Sequence, residues 1–394
     1  AYNEANIVYG KEYFIPKPFD PRLITTVAPA VAKAAIESGV ARKKITNWEK
    51  YEEELAQRLG IDDQIMRVVT NKAKQSLQRV VFAEADNFKI LKAAQIVKDE
   101  GIATPVLLGK KEKIATIAEE HHLDLGEVEI INPGDSEFDE QRKEYGKLFF
   151  EKRKRRGYNY YEAVKIMRSR NYFGSMMVET GRADALISGL TRKYPDTIKP
   201  ALQVIGRAEN TSKVAGMYIM LTKHGPLFFA DTTINTNPTA EELADITYLT
   251  ANAVSQFNIM PRIAMLSYSN FGSVENEETM KIREAVEILR EKHPHLIVDG
   301  EMQANLAFDK ELLEENYPFT KLANKGVNTL IFPNLAAGNI AYKLVQTLGT
   351  ADAIGPVLLG MKKSVHILQL GSSVREIVNM VAIAAADAQR KNKQ

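Results

Sequence analysis

The chain has 394 residues, 45% hydrophobic and 26% charged, with a formal net charge of +2 and no cysteine. That is enough apolar material for two or three cores. The near-neutral charge argues against a polyanion as partner, and the missing thiols exclude disulfides and thiolate catalysis and fit a reducing cytoplasm. The opening residues carry no signal-peptide pattern and no apolar run reaches the ~18 residues of a membrane span, so the expectation is a cytoplasmic chain without membrane contact.

Pro16, Pro18 and Pro21 punctuate an extended crossing in YFIPKPFDPRL, because each fixes φ and pushes its predecessor away from helix. The alanine-rich run from Ile24 to Val40 is apolar at helical spacing and stopped by Gly39, which predicts a packed helix. Ile45, Trp48, Tyr51, Leu55 and Leu59 then recur every three or four residues up to Gly60, a linker helix over 46–65. From there helix and strand alternate. A helical stretch over Val69–Ser76, a strand at Arg79–Ala83 leading into FAEADN, a helix over Ile90–Glu100, a strand at Thr104–Lys110, a helix over Lys111–Glu120 and a strand at Val128–Pro133 predict a parallel, buried sheet with helices on both faces.

Phe138 to Arg156 reads as a charged helix ending in KRKRRG; Lys152 to Arg156 suit a solvated helix end and are too isolated for nucleic acid. Ala183–Gly189 is a strand running into LTRKYPD, where Asp196 is a candidate helix N-cap. In FFADTTINTNPTAEELADI a strand and an asparagine-rich turn precede a helix with Thr239 and Glu242 spaced as a capping box. Asp231 and Asp299 could be paired acid/base or metal carboxylates, but each sits at a strand end where loop capping explains it. The histidines do not cluster: His121 and His122 are adjacent, His293 and His295 flank Pro294, His224 stands alone, and His366 near Gln369 reads as packing or a coenzyme neighbour. No metal site is expected, and no G-x-G-x-x-G occurs.

The most informative stretch runs from Val327 to Asn379. Asn328–Phe332 reads as a buried strand whose carboxyl end delivers the small-residue loop AAGN, Ala336–Asn339, to a helix over Ile340–Leu348. That arrangement suits a phosphate or other anion, and it equally fits ordinary strand–helix packing.

NTLIFPNLAAGNIAYKLVQTLG followed by AIGPVLLGMKKSVHIL resembles the carboxyl-terminal signature of phosphate acetyltransferases. ADALISG, DTIKPALQVI, FFADTTINTNPTAEELADI, AMLSYSNFGS and VDGEMQANLA match further blocks of that family in the same order, so the resemblance covers about residues 61 to 394. It implies an α/β fold of two α/β/α subdomains with a cleft between them, phosphotransacetylase- and isocitrate-dehydrogenase-like, with 66–210 and 356–394 as the first subdomain and 211–355 as the second, through which such domains pair at least as dimers. The chain would cross between subdomains near Asn210 and Gly355. The first 45 residues resemble the tail of a bacterial malic enzyme's nucleotide-binding domain, on the IPKPFDPR string and the alanine-rich helix. Together the two resemblances imply the carboxyl-terminal part of a multidomain NADP-dependent malic enzyme, whose NADP and divalent Mg or Mn sites lie upstream and whose own amino-terminal malic enzyme domain is a partner.

Active members of the family, as the resemblance implies, carry a serine and an arginine where this chain has Gln369 and Leu370, before Gly371 and Ser372. The serine bonds the reacting centre, the arginine holds the acyl phosphate, and an aspartate at the position of Glu376 takes the thiol proton. Two further family arginines fall on Arg153 and Lys199; lysine keeps the charge and loses the bidentate fork. Thr191 and Arg192, at a strand's carboxyl end, are expected to face the ligand, with Tyr194 beside them, and Asn339 belongs to the anion-suited loop. Losing a preorganised cation costs on the order of several kcal/mol of transition-state stabilisation. The leading expectation is therefore a regulatory domain, not itself catalytic, that binds acetyl-CoA or CoA in a degenerate cleft. The alternatives are an active phosphate acetyltransferase and an oligomerisation scaffold without ligand.

Overall fold

The apolar run Val80, Val81 and Phe82 closes β1 (Arg79–Phe82), and all three side chains are buried, as they must be in a strand covered on both faces. In the computed structural model the described residues are 22–48, 51, 54–55, 62–209, 211–222, 225–349 and 351–393. The proline-rich string around Pro16 and Pro18, Leu59, Gly60, Asn210 and His224 lie outside them.

β1 pairs in parallel with β2 (Thr104–Leu108) and with β4 (Ala185–Ser188). β3 (Glu129–Ile131) and β11 (Ser364–Ile367) complete an all-parallel sheet in the order β11-β4-β1-β2-β3. The second sheet collects β5 (Ala215–Thr222), β6 (Gly225–Ala230), β7 (Arg262–Leu266), β8 (Ile297–Met302), β9 (Thr329–Ile331) and β10 (Ala351–Leu359) in the order β10-β5-β6-β9-β7-β8. Its β10-β5-β6 part is antiparallel and the rest parallel. Each sheet has its own core: Val81, Leu108, Phe149, Phe173, Met176 and Ile367 pack in the first, and Met220, Leu266, Leu306, Leu313, Leu330 and Tyr342 in the second. Each large apolar side chain so buried contributes about 1.5–3 kcal/mol.

The closing helix, Val374–Lys391, packs on β11, β4 and β1, so the carboxyl-terminal segment returns to the first sheet. The two strands of chain joining the sheets run side by side, with Arg207 bridged to Met361, Ala208 N–H donating to Gly360 O at 2.9 Å and Lys362 N–H to Gly206 O at 3.1 Å. The return lies after Leu359 and not at Gly355. β10 runs through residues 355 and 356 with a bulge between Ile354 and Val357, because pairing with β5 continues to Leu359.

Unit 1, residues 1–67, contains the Arg22–Glu37 helix, where Lys33 lies 5.0 Å over the Trp48 ring and Trp48 meets Tyr51 edge-on. The helix forms where its spacing predicts it, with Val27 and Val31 exposed on it. Trp48, Tyr51, Glu54 and Leu55 are helical, and a further helix, Asp62–Lys74, continues through the boundary drawn at 65/66.

One glycine sets a helix crossing. A Cβ on Gly146, in the Asp139–Arg153 helix, would stand 2.6 Å from Val164 Cα and 2.9 Å from Val164 N in the Tyr160–Ile166 helix. Backbone cannot yield as a flexible side chain can, so Gly146→Ala is expected to lower unfolding stability by about 2–3 kcal/mol in urea titration.

Candidate functional site

The carboxyl ends of the first sheet's strands are held by polar residues that follow β1. Glu84, buried to 4% exposure, accepts from Gly189 N–H and Leu190 N–H at 2.7 Å each, from Thr191 N–H at 3.1 Å and from Thr191 Oγ1. Thr191 thus donates its hydroxyl to Glu84 while the residue itself stays exposed at the strand's carboxyl end. Arg192 beside it is exposed. Asp196 is not the N-cap: the Tyr194–Val204 helix starts after Lys193, and Asp196 lies in its first turn, where a carboxylate suits the dipole.

The loop after β11 carries Gln369 and Leu370. Leu368 N–H donates to Ser188 O at 2.7 Å, which sets this loop beside the one following β4. Gln369 Nε2 donates to Tyr218 Oη, a bond from the first sheet's loop to β5 of the second sheet. Tyr218 stacks on Tyr342 with centroids 4.0 Å apart, and burial pushes its phenol far up. Tyr194 Oη is buried with no hydrogen-bond partner among the described residues. Leu370 is 66% exposed. Gly371 O and Ser372 O both accept from Lys89 Nζ, at 3.0 and 3.1 Å. Glu376 closes a capping box with Ser373, accepting from Ser373 N–H at 2.6 Å. Its carboxylate is engaged in starting a helix.

Arg153 and Lys199 do not join this group through hydrogen bonds. Arg153 donates from Nε to Gln203 O at 2.9 Å and from a terminal nitrogen to Leu202 O at 3.2 Å, and burial, with Arg156 adding to it, lowers its guanidinium pKa. It caps the far end of the 11-residue Tyr194–Val204 helix, roughly 15 Å along the axis from the Thr191 loop. Lys199 is exposed on the same helix.

In the second sheet the AAGN segment is not a loop. The helix there is Leu335–Thr347, capped by Asn334, whose side chain accepts from Ala337 N–H at 3.0 Å, so Ala336–Asn339 form its first turn. Asn339 Nδ2 donates to Thr232 O at 3.1 Å and lines a cavity of about 830 Å³ with Thr233, Asn237, Glu278, Lys281 and Asn334. Nothing along the sequence singles out Lys281, one of many charged residues in the Glu277–Lys292 helix. Its ammonium is held by Asn237 Oδ1 and Pro333 O, and burial lowers its pKa. Asp231 and Asp299 are no acid/base pair. Asp231 accepts from Gly216, Thr233, Ile234 and Asn235 N–H and from Asn235 Nδ2, and Asp299 from Arg290, Gly300 N–H, Thr320 Oγ1 and Lys321 N–H. Glu84 was equally invisible: its role depends on a loop 105 residues away.

Two α/β sheets facing each other through these strand-end loops define the phosphotransacetylase class of fold. The sequence profile described as phosphate acetyl/butaryl transferase matches residues 64–385, and the chain belongs to that family. A phosphotransacetylase from Streptococcus pyogenes superimposes with a TM-score of 0.77 at 36% identity, covering 83% of this chain and 99% of that one. The phosphate acetyltransferase of Clostridium acetobutylicum is 38% identical over 81% of this chain and 96% of its own length. The NADP-dependent malic enzyme of Haemophilus influenzae is 40% identical over 99% of this chain and 52% of its own length. The chain thus spans about half the length of the malic enzymes it matches.

Among the described residues no group of histidine and acidic side chains could hold a metal, and no helix is long and apolar enough to cross a membrane. His366 is packed within β11. Its Nδ1 accepts from Leu358 N–H at 3.2 Å, and burial lowers its pKa below the usual 6.5 against the pull of Asp387, 3.7 Å away. Burial also raises the Asp387 carboxyl, but Lys391 and His366 outweigh it and hold that pKa below the usual carboxylate range. The depressed His366 pKa sets the sign. The unfolded chain takes up a proton at His366 first, so stability falls as pH drops below about 6.5, by at most about 1.4 kcal/mol per pH unit. His366→Gln is expected to flatten that slope between pH 7 and 5 in chemical denaturation.

Proposed function

We propose that this chain is the regulatory half of an NADP-dependent malic enzyme, and that its cleft binds acetyl-CoA as an allosteric effector without turning it over. The parent enzyme would convert malate and NADP to pyruvate, CO2 and NADPH in the part that the chain does not include, where NADP and a divalent Mg or Mn would bind. What supports the parent is similarity to malic enzymes across 99% of this chain, at 40% identity in one case.

The observation that carries the effector reading is Leu370. An apolar side chain, 66% exposed, stands where the family resemblance puts the arginine that holds the acyl phosphate. Around it, Gln369 is bonded to Tyr218, and Glu376 is committed to its capping box. A site with the family's loops and without its anion-holding cation can retain affinity for a thioester while losing the stabilisation of a developing charge. Regulation further requires acetyl-CoA to favour one conformation of the assembly over another. We take that assembly to be at least a dimer, with the chain's own amino-terminal malic enzyme domain as the structural partner.

The test is calorimetric titration of acetyl-CoA, and separately of acetyl phosphate, into the protein, with a CoA-release assay on the same sample. Acetyl-CoA binding without CoA release is the expected result. CoA release would make the domain a working acetyltransferase, and no heat from either ligand would leave a scaffold. The double variant Gln369→Ser with Leu370→Arg is expected to raise acetyl transfer by on the order of 10²-fold or more, and no gain at all would remove the case for a degenerate site.

A further inference from the structure

The backbone turn Gly189–Thr191 has the form of an anion receptor. Three successive N–H groups and one hydroxyl converge on one carboxylate at the carboxyl end of β4, Gly189 and Leu190 on its Oε2 and Thr191 on its Oε1. That carboxylate is the protein's own Glu84, brought there by β1, which pairs with β4. The Glu84 side chain is buried, and every one of the four groups that reach it is a donor. No ion pair meets it among the described residues, so its charge is compensated by dipoles alone. The turn itself admits little adjustment: Gly189 sits at φ +107, and a Cβ there would come within 2.6 Å of Ile367 Cγ2 and 2.9 Å of Leu368 O.

We propose that Glu84 is a resident anion that fills this receptor, bars ligand phosphate from it and acts as the positioning residue for the loop carrying Arg192. Two consequences follow from the geometry. The phosphates of any ligand in the cleft must find side-chain cations, with Arg192 on the held loop within reach of solvent. Removing the carboxylate leaves four converging donors and an empty space, which is a new site for a small carboxylate. The second consequence depends only on the observed bonds; the first rests on the reading of the cleft as an acetyl-CoA site.

The experiment compares wild type, Glu84→Ala and Glu84→Gln in this chain. Glu84→Ala is expected to melt several degrees lower. Formate should restore part of that loss in proportion to its concentration, since it binds only the folded state, while chloride at equal ionic strength does not. Wild type should respond equally to the two salts. Absence of a formate response in Glu84→Ala, or an equal response in wild type, overturns the proposal. Glu84→Gln keeps the volume but sets an amide N–H against backbone N–H groups. It is expected to melt lower without formate rescue and to bind acetyl-CoA about tenfold more weakly, the cost of one hydrogen bond left unmade. Should Glu84→Ala fail to fold, Glu84→Gln matching wild type in melting overturns the proposal by itself. Wild type that does not bind acetyl-CoA sinks the effector reading, while the formate response still decides the resident anion.

Discussion

A buried carboxylate and a loop leaving a parallel strand each have an unmet need, and in this protein they meet each other's. The loop has N–H groups with no strand to pair with; the carboxylate has lone pairs and no water. Glu84 serves the loop after β4, Asp231 the turn following β6, and Asp299 the approach of Thr320 and Lys321 to β8. Glu301 does the same for Ser269 and Gly272 through one oxygen, while its other oxygen faces Arg283 at 3.5 Å. Loops on both sheets are therefore tied by internal acids, Glu84 among them at the carboxyl end of β4.

This arrangement separates residues that build the site from residues that could act in it. Lys89, Glu84, Ser373 and Glu376 are all polar, and each bonds backbone of the strand-end loops or of the closing helix. Gln369 differs because its partner, Tyr218, belongs to the other sheet. A side chain that joins the two halves at the cleft is where occupancy of the cleft would be felt, and through the Tyr218–Tyr342 stack it touches the Leu335–Thr347 helix. Membership of the phosphate acetyl/butaryl transferase family accounts for the architecture, while the chemistry depends on the individual side chains set at the cleft.

Much of the fold was legible along the chain. Strands of the first sheet are short apolar runs between amphipathic helices, and such a pattern has few alternatives once both faces must be covered. The capping box at Thr239 and Glu242 was readable too, because both partners lie three residues apart. Errors came where a local signal competed with a distant one. Ala336–Asn339 has the composition of a loop and yet is the first turn of a helix, since Asn334 two residues earlier takes the cap. The crossing that the resemblance implies near Gly355 falls after Leu359, because pairing with β5 carries β10 that far.

The sequence alone determined the alternation of elements and the lack of thiol chemistry, because each is a property of neighbours or of single residues. Only the tertiary structure decided what the polar residues are for. Thr191 bonds Glu84 from 107 positions away, and Arg153 caps the end of a helix about 50 residues on. Hydrogen-bond partners so far apart are assigned by strand order, and strand order exists only once the chain has folded.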